Sequence, residues 1–374
     1  MDIWKEVRKE FPVCKEFVYL NPAGGSPLSA SAAQQARQFY DEILAQGDNL
    51  YEEWLERTEV TRQMVAEYIG ADASEIAFTT NTSHGMNLVA QMNKNKGKVL
   101  TMHDEFPSST FPWLNQGVAL KMVEPKDGFR YPIEKIEASL DPDVKILMTS
   151  YVQYCTGFRQ DLEALGELCR RKNLIFVVNA TQAIPVFPVD VKKWNIDFLV
   201  FTGLKWATAG YGIGGLYISK KWLTGGKLPF AGWLSIEDPE QMDNLKFEPE
   251  ERASVVESGC PHFAPVFALK GALELFKRIG KEQVTSHVLG LTTYLQKKLK
   301  ALGAELTSPE DEKHMSGITI IKTTQATELV SELRDKNIIV SPRGQGVRVS
   351  VNIFNNKEDI DVLIEALEQH RDLF

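Results

Sequence analysis

The sequence predicts an α/β protein, with a large domain whose mainly parallel sheet is flanked by helices and a small α+β C-terminal domain. Six short apolar runs indicate the strands of the large domain: "EIAFTT", "KVLTM", "KILMTSYV", "LIFVVNA", "DFLVFTG" and "GIGGLYIS". Stretches of helical periodicity, such as "DLEALGELCRRKN", lie between them. Strands that alternate with helices form βαβ units, whose sheet is mainly parallel and covered on both faces.

The rest of the chain is predicted to divide around this sheet. Residues 1–28, which include the turn-rich "YLNPAGGSPL", are expected to pack with the small domain. Residues 29–262 form the large domain, which begins with helices over about 29–70. Residues 263–374 form the small domain, because two long helical patterns are followed there by "MSGITIIKT", a helix, "NIIVSPRGQGVRVSVNIF" and a final amphipathic helix.

Composition argues against several classes of protein. A formal net charge of −8 with 42 Lys and Arg residues argues against nucleic-acid binding, which favours a basic surface. Cys14, Cys155, Cys169 and Cys260 form no C-x-x-C pair, so they predict neither a disulfide framework nor a metal site. No apolar run approaches the roughly 18 residues of a membrane span, and "MDIWKEVRKEFPV" contains acids and no long apolar core, unlike a signal peptide. We therefore expect a cytoplasmic protein.

Lys205 lies just beyond the carboxyl end of the predicted strand "DFLVFTG". In open α/β sheets, ligands bind outside the carboxyl ends of the strands. A lysine there, beside Trp206 and a glycine-rich turn, would be desolvated and its amine made nucleophilic. The glycines of "GYGIGG" precede a strand, so they do not match a dinucleotide fingerprint, which follows one.

The pattern N-A-T-Q … G-x-K-W … G-x-G-G-L-Y resembles the class V aminotransferase family of pyridoxal 5'-phosphate (PLP) enzymes, in the fold-type-I group. Asn179 precedes Lys205 by 26 residues, the spacing of the family's V-D-x-x-Q and S-G-H-K segments. The resemblance covers almost the whole chain. It implies PLP as cofactor, Lys205 as the lysine that forms a Schiff base with it, an amino-acid substrate, and a homodimer with composite active sites.

The resemblance also implies which residues bind the cofactor. "TNTSHGMN" is similar to the family's phosphate-binding turn, where the hydroxyls of Thr82 and Ser83 and the backbone N–H groups of a helix start hold the anion. Thr202 matches a phosphate-binding serine. Gln182 matches the residue that hydrogen-bonds the phenolic O3' of the cofactor. Phe106, in "HDEFPSSTFPW", takes the place of the ring that stacks on the cofactor.

Substrate binding is implied at two segments. "GQGVRVSVNIF" resembles the strand whose arginine binds the substrate α-carboxylate, which assigns that role to Arg348, with Arg343 as a candidate for a second acidic group. "SYVQYCTGFRQDL" is close to a pattern of the isopenicillin-N-epimerase-like branch, which places a polar side chain near O3' and the substrate. Tyr151 and Gln153 are both candidates there, and the sequence does not choose between them.

Three residues depart from the family pattern. Asn179 replaces the aspartate that keeps the pyridine nitrogen protonated, so the ring loses an ion pair that strengthens it as an electron sink. Leu204 replaces a phosphate-binding histidine. Cys260, in "ESGCPHF", replaces a threonine that reaches the phosphate of the partner subunit's cofactor, and a thiol is a weak hydrogen bonder. All three departures predict a weaker cofactor site.

The reaction we predict is aminotransferase-like, with the Lys205 amine moving the Cα proton. "SPRGQGVRVS", before the substrate arginine, contains no cysteine, which argues against a self-persulfidating desulfurase. The alternatives are an epimerase, a C–S lyase without a cysteine nucleophile, or a catalytically weak PLP-fold binding protein. Epimerisation needs a second acid–base group, for which Tyr151, Tyr154 and His84 are candidates. The sequence does not identify the substrate side chain.

Overall fold

The computed structural model describes residues 3–225, 228–241 and 243–374. The α-helices are α1 (Ile3–Lys9), α2 (Ala30–Gln46), α3 (Tyr51–Ile69), α4 (Thr82–Asn93), α5 (Pro107–Asn115), α6 (Ile133–Ala138), α7 (Leu162–Lys172), α8 (Phe263–Ile279), α9 (Lys281–Ala301), α10 (Ala326–Asp335) and α11 (Lys357–Glu368). The strands are β1 (Val18–Tyr19), β2 (Ile76–Thr79), β3 (Lys98–Met102), β4 (Leu120–Val123), β5 (Val144–Ser150), β6 (Ile175–Asn179), β7 (Phe198–Thr202), β8 (Gly214–Ile218), β9 (Ile318–Lys322), β10 (Ile338–Ile339), β11 (Ser341–Arg343) and β12 (Gly346–Ser350). Within the described ranges, none of the helices has the length and apolar character that a membrane crossing requires.

A seven-stranded sheet in the order β2-β8-β7-β6-β5-β3-β4 forms the centre of the larger part of the molecule. Strands β4, β3, β5, β6 and β7 are parallel, and β8 is antiparallel to both of its neighbours, β7 and β2. Since β2 and β7 are both antiparallel to β8, β2 runs in the same direction as the parallel strands. The predicted α/β fold with a mainly parallel sheet is confirmed.

Helices cover both faces of this sheet, which explains why its strands are apolar throughout. Along β7, Leu199 and Phe201 belong to one buried cluster, whereas Phe198 and Val200 belong to the other. A strand buried on both faces shows no alternation of polar and apolar residues. Strand β4 has no such signal because it is an edge strand that is only partly buried, so it was not predicted from the sequence.

A three-stranded antiparallel sheet, in the order β11-β12-β9, lies in the C-terminal part of the chain. The N-terminal segment joins this part, because β1 pairs in parallel with β10 and the Ser350 N–H donates to the carbonyl of Leu20. Helix α8 packs against α2 and α3, and also contacts α9. Helix α8, the first element of the predicted small domain, thus packs against helices of the predicted large domain, and the domain boundary at residue 262 stays a prediction.

The first turn of α4 is held close to the central sheet. The side chain of Asn81 caps the helix by accepting the N–H of His84 at 3.0 Å. A Cβ on Gly85 would lie 2.9 Å from Cγ1 of Val200 on β7, so glycine allows the helix to approach the strand. This places the N-terminus of α4 at the edge where β5, β6 and β7 end.

Candidate active site

A cavity of about 320 Å³ opens at the edge of the sheet where β2, β5, β6 and β7 end. Its volume lies within the range of small-molecule sites, from about 300 to 1,000 Å³. Several residues predicted for the site line this one cavity: Thr82, Ser83, Phe106, Asn179, Gln182, Thr202, Lys205, Arg343 and Arg348. Among the described lining residues, none is an Asp or a Glu, so the cavity is electropositive.

The Lys205 amine enters this cavity from the turn after β7. Two backbone hydrogen bonds fix the turn: Thr208 N–H to the Lys205 carbonyl at 3.0 Å, and Ala209 N–H to the Gly203 carbonyl at 2.9 Å. Nζ lies 5.5 Å from the centroid of the Phe106 ring. Burial, and then the positive charges of Arg348 and Arg343, lower the pKa of Lys205 to about 7. A large fraction of this amine is therefore neutral and nucleophilic at pH 7.

The start of α4 lines the cavity and is suited to an anion. The first N–H groups of a helix have no partner within the helix, and its dipole favours negative charge there. The hydroxyls of Thr82 and Thr181 share a hydrogen bond of 2.5 Å, and Thr202 Oγ1 donates to the carbonyl of Ile213 at 3.3 Å. With Ser83 beside them, these groups fit a phosphate, although Leu204 offers it no hydrogen bond.

Gln182 and Phe106 also line the cavity. The amide oxygen of Gln182 accepts the Trp206 Nε1–H at 2.7 Å, and its nitrogen donates to the Ala23 carbonyl at 3.0 Å. An amide nitrogen carries two hydrogens, so one N–H remains for a ligand oxygen. The Phe106 ring meets the ring of Tyr154 edge-on, with centroids 5.1 Å apart. A planar aromatic ligand is compatible with both groups.

Asn179 is held in one orientation by two buried partners. Its amide oxygen accepts the Thr181 N–H at 3.0 Å, and its amide nitrogen donates to Ser109 Oγ at 2.8 Å. Because a backbone N–H can only donate, this network assigns the oxygen of the amide to Thr181. The group is neutral, so it offers a pyridine nitrogen a hydrogen bond but no ion pair.

Arg348, on β12, lines the cavity and has unused donors. Its Nη1 donates to the backbone carbonyl of Tyr154 at 3.0 Å, whereas its buried Nε has no hydrogen-bond partner among the described residues. Burial, and then the charge of Arg343, lower the pKa of Arg348 to about 10, so it remains charged at neutral pH. A buried guanidinium with open donors is suited to a carboxylate.

Tyr151 and Gln153, predicted to approach the substrate, do not line this cavity, and this requires a correction. The Tyr151 hydroxyl donates to the carbonyl of Pro188 at 3.3 Å, and Gln153 Nε2 donates to Glu105 Oε1 at 2.9 Å. Both side chains are packed in the interior after β5. Tyr154 lines the cavity instead.

Cys260 and His84 lie at a second, smaller cavity of about 50 Å³. Cys260 is exposed, and its Sγ lies 3.9 Å from the Tyr51 hydroxyl. The family resemblance assigns this position to the cofactor of the partner subunit, so the role of Cys260 stays a prediction. His84 Nδ1 accepts the Thr80 N–H at 3.3 Å, and burial together with His262 lowers its pKa.

Several lining residues were not singled out from the sequence. Ala23 and Gly24 come from the turn-rich "NPAGG", whose glycines and proline were the available signal. Thr181 lies inside the N-A-T-Q segment, and Tyr211 lies in the glycine-rich turn after Lys205. Nothing in the local pattern around these positions distinguishes a lining residue from an ordinary turn residue.

Fold and cavity together define a fold-type-I PLP-dependent enzyme. Residues 18–363 match the family model described as "Aminotransferase class-V", and the chain belongs to this family. It is a PLP-dependent enzyme that acts on amino acids.

Similar proteins carry several activities. The chain is 25% identical to "Uncharacterized aminotransferase YcbU" of Bacillus subtilis (strain 168), over 97% of each chain. It superposes with a TM-score of 0.89 and 24% identity on the apo structure of a cysteine desulfurase from Thermococcus onnurineus NA1, covering 98% of this chain and 97% of that one. A C-DES variant with glycine covalently linked to its PLP cofactor gives a TM-score of 0.88 at 19% identity, covering 96% of this chain and 98% of that one.

Attachment of PLP to the cofactor-free protein is expected to depend on pH through the Lys205 amine. Because the pKa is about 7 rather than 10.5, the neutral amine predominates above pH 7 and declines about tenfold per pH unit below it. The attachment rate should therefore rise with pH to about 7 and then level off. Stopped-flow absorbance at low PLP concentration measures this rate.

Arg343→Gln is the matched control for this pH profile. Removing one neighbouring positive charge should raise the pKa of Lys205, so the midpoint should move to higher pH. Arg343 is exposed, so the substitution should not disturb the fold. A midpoint near 10 in the unaltered protein, or a midpoint that Arg343→Gln does not move, would contradict the assignment.

Proposed function

We propose that the protein catalyses transamination of an amino acid, with the Lys205 amine as the base that removes the Cα proton and the acid that returns it. The observation that carries this proposal is a buried amine with a pKa of about 7, placed in one cavity with the open donors of Arg348. A base is most effective when its pKa lies near the working pH. Bound PLP supplies the electron sink that stabilises the negative charge at Cα.

The other cavity residues position the substrate in this proposal. Arg348 binds the α-carboxylate through two charge-assisted hydrogen bonds, which sets which bond at Cα is cleaved. Thr82, Ser83 and the start of α4 hold the phosphate, Gln182 holds O3', and Phe106 covers the ring. These roles follow the family pattern, and the cavity geometry supports them.

Two features favour transamination over the other activities of the family. No cysteine is found among the described residues that line the cavity. Burial raises the pKa of the nearby Cys155 thiol to about 12, so it stays protonated and is a poor nucleophile. Of the three candidates for a second acid–base group, Tyr154 alone lines the cavity, and burial also raises its pKa. Epimerisation is therefore the activity against which transamination must be tested.

A homodimer with composite sites, located in the cytoplasm, is part of the proposal. Phe106 and Tyr211 line the cavity and are 41% and 77% exposed, and Phe111 and Leu114 on α5 are exposed as well. Exposed apolar residues in such number are typical of an interaction surface. Analytical ultracentrifugation of the PLP-loaded protein should give twice the chain mass.

The proposed reaction is tested by measuring its two half-reactions separately: conversion of an amino acid to a keto acid, and restoration of the cofactor by a second keto acid. We expect one group of amino acids to bleach the absorption band of the PLP-loaded protein and to yield the corresponding keto acid, and a keto acid to restore the band. Chromatography identifies the products in each half. Release of sulfide or ammonia in place of a keto-acid exchange, or inversion at Cα without a keto acid, would overturn transamination.

A further inference from the structure

Glu105 is a buried carboxylate near Asn179, and none of the roles described above involves it. Glu105 precedes α5, is 7% exposed and does not line the cavity. Its Oε1 accepts the Ser150 N–H at 2.6 Å and the Gln153 Nε2–H at 2.9 Å, and its Oε2 accepts the Ser150 hydroxyl at 2.5 Å. The donors are all neutral groups, so no neighbouring cation in this set balances a charge on Glu105.

Ser109 connects this carboxylate to Asn179. Its Oγ accepts the Asn179 Nδ2–H at 2.8 Å, and the Ser109 hydroxyl is among the groups whose hydrogen bonds lower the pKa of Glu105. Ser150, which donates to Glu105, also lies beside Asn179 in the central sheet. Since the oxygen of Asn179 is held by the Thr181 N–H, the donors point in one direction, from Asn179 to Ser109 to Glu105. This series of hydrogen bonds, which we call the Glu105 relay, ends on the only group in it that can carry a negative charge.

The hydrogen bonds that Glu105 accepts favour its ionised form. Burial raises the pKa of Glu105 above its usual value, and the hydrogen bonds from Ser150, Gln153 and Ser109 offset part of that rise. Two of the donors, the Ser150 N–H and the Gln153 Nε2–H, meet on one oxygen and require an acceptor there. A charge in this buried position acts on its surroundings with little screening by solvent.

We propose that Glu105 is a positioning residue that supplies, through Ser109 and Asn179, the negative charge which the family aspartate provides directly at the position of Asn179. The proposal rests on the cofactor assignment and not on which reaction follows. The charge is set back by two hydrogen bonds, so it favours positive charge on the bound PLP less strongly than a direct ion pair would. In this proposal the Asn179 amide connects the bound cofactor to the carboxylate of Glu105, so the negative charge at this position is moved farther away and not lost.

Neutralising Glu105 should change the spectrum of the bound cofactor in the absence of any substrate. Glu105→Gln can keep both N–H donors on its amide oxygen, while the hydroxyls of Ser109 and Ser150 turn to accept its new N–H hydrogens. Removing the negative charge disfavours protonation of the bound PLP, so the pH midpoint of its absorption band should fall by about one unit. The dissociation constant for PLP should rise as well.

Other titratable groups near the cavity do not account for such a shift. Lys205, Arg343 and Arg348 lie on the cavity side, and all three remain in every variant proposed for the relay. The Cys155 thiol, whose pKa is about 12, stays neutral over the range of the titration. Asp104 is adjacent to Glu105 in sequence, and its carboxylate accepts the Tyr131 hydroxyl at 2.6 Å. Asp104 and Tyr131 are unchanged in every variant proposed for the relay.

Returning the charge to residue 179 separates an electrostatic role from a structural one. In the double variant Glu105→Gln/Asn179→Asp the carboxylate occupies the family position, so the midpoint should recover to the wild-type value or above it. In Asn179→Asp alone, two carboxylates would be joined through Ser109, and each would disfavour ionisation of the other. The gain from Asn179→Asp should therefore be larger in the Glu105→Gln background than in the wild type.

Matched variants control for damage to the fold. Glu75→Gln alters another buried acid, which directly precedes β2, accepts the Lys220 N–H at 2.9 Å and does not line the cavity. Ser316→Ala alters another fully buried serine, whose hydroxyl donates to the Gly157 carbonyl at 2.7 Å. Neither should move the midpoint, whereas Ser109→Ala should lower it in the same direction as Glu105→Gln. Thermal unfolding of the cofactor-free variants shows which of them are folded.

The proposal fails if Glu105→Gln leaves both the midpoint and the PLP dissociation constant unchanged, or if the double variant does not recover the midpoint. Should Glu105→Gln not fold, Ser109→Ala decides the question, because an unchanged midpoint there also overturns the relay. These readouts need no substrate. A protein that shows the expected shifts but yields no keto acid would refute transamination and leave the Glu105 relay standing.

Discussion

Replacement of Lys205 by alanine is expected to abolish the borohydride-trapped adduct with PLP and to lower turnover by a factor on the order of 10⁴. The loss combines the covalent attachment with the general base, which contributes about 10²–10⁴ by itself. Lys281→Ala is the matched control, because Lys281 is another lysine whose pKa burial lowers, and its Nζ donates to the Tyr68 carbonyl at 2.8 Å. An adduct that persists in Lys205→Ala would remove the assignment.

Without cofactor, the same Lys205 variant should differ in how its stability depends on pH. The pKa of Lys205 is about 7 in the folded chain and 10.5 in an unfolded one, so the unfolded state binds more protons between these values. The free energy of unfolding of the cofactor-free wild type should therefore rise with pH in this window, by at most about 1.4 kcal/mol per unit from this group. Urea titrations at several pH values should show this rise missing in Lys205→Ala.

Replacement of Arg348 by alanine should lower kcat/KM for amino acids by a factor on the order of 10³ and leave the PLP dissociation constant nearly unchanged. Two charge-assisted hydrogen bonds to the carboxylate, each about 1.5–3 kcal/mol, are lost. Arg348→Lys keeps a charge but loses the paired geometry, so it should recover only part of the activity. Steady-state kinetics with a keto acid and an amino acid, beside PLP titrations, separates the two effects.

Arg343→Ala is the control for this second prediction, because Arg343 lines the same cavity from an exposed position. We expect a smaller loss there, concentrated on substrates that carry a second acidic group. Equal losses of PLP binding and amino-acid activity in Arg348→Ala would contradict the assignment and indicate a disturbed fold.

Local patterns predicted the fold and the position of the lysine. Strands such as β6 and β7 are buried on both faces, so their apolar runs are visible in the sequence, and Lys205 directly follows one of them. The role of Arg348 came only from the family resemblance, because an arginine in a short strand is ordinarily a surface residue. Its burial at 2% exposure is set by the packing of β12 between β9 and β11.

Contacts between distant segments could not be read from the sequence. Tyr154 lines the cavity and Tyr151 does not, although both follow β5 and three positions separate them. The path of an irregular segment decides which side chain enters a cavity, and no periodicity reports that path. The bond between Ser109 and Asn179 joins residues 70 positions apart, so it too required the folded chain.

The pairing of β1 with β10 has a consequence for how the molecule is completed during synthesis. Val18 leaves the ribosome long before its partner Ile338, because 320 positions separate them in the sequence. The last strand of the central sheet, β8, is synthesised well before Ile338. The sheet can therefore form while β1 still lacks its partner β10. Ala23 and Gly24, which follow β1, reach the cavity wall only after β1 and β10 have paired. A nascent chain would thus display the sheet without a finished cavity, and cofactor capture should be a late event in biogenesis.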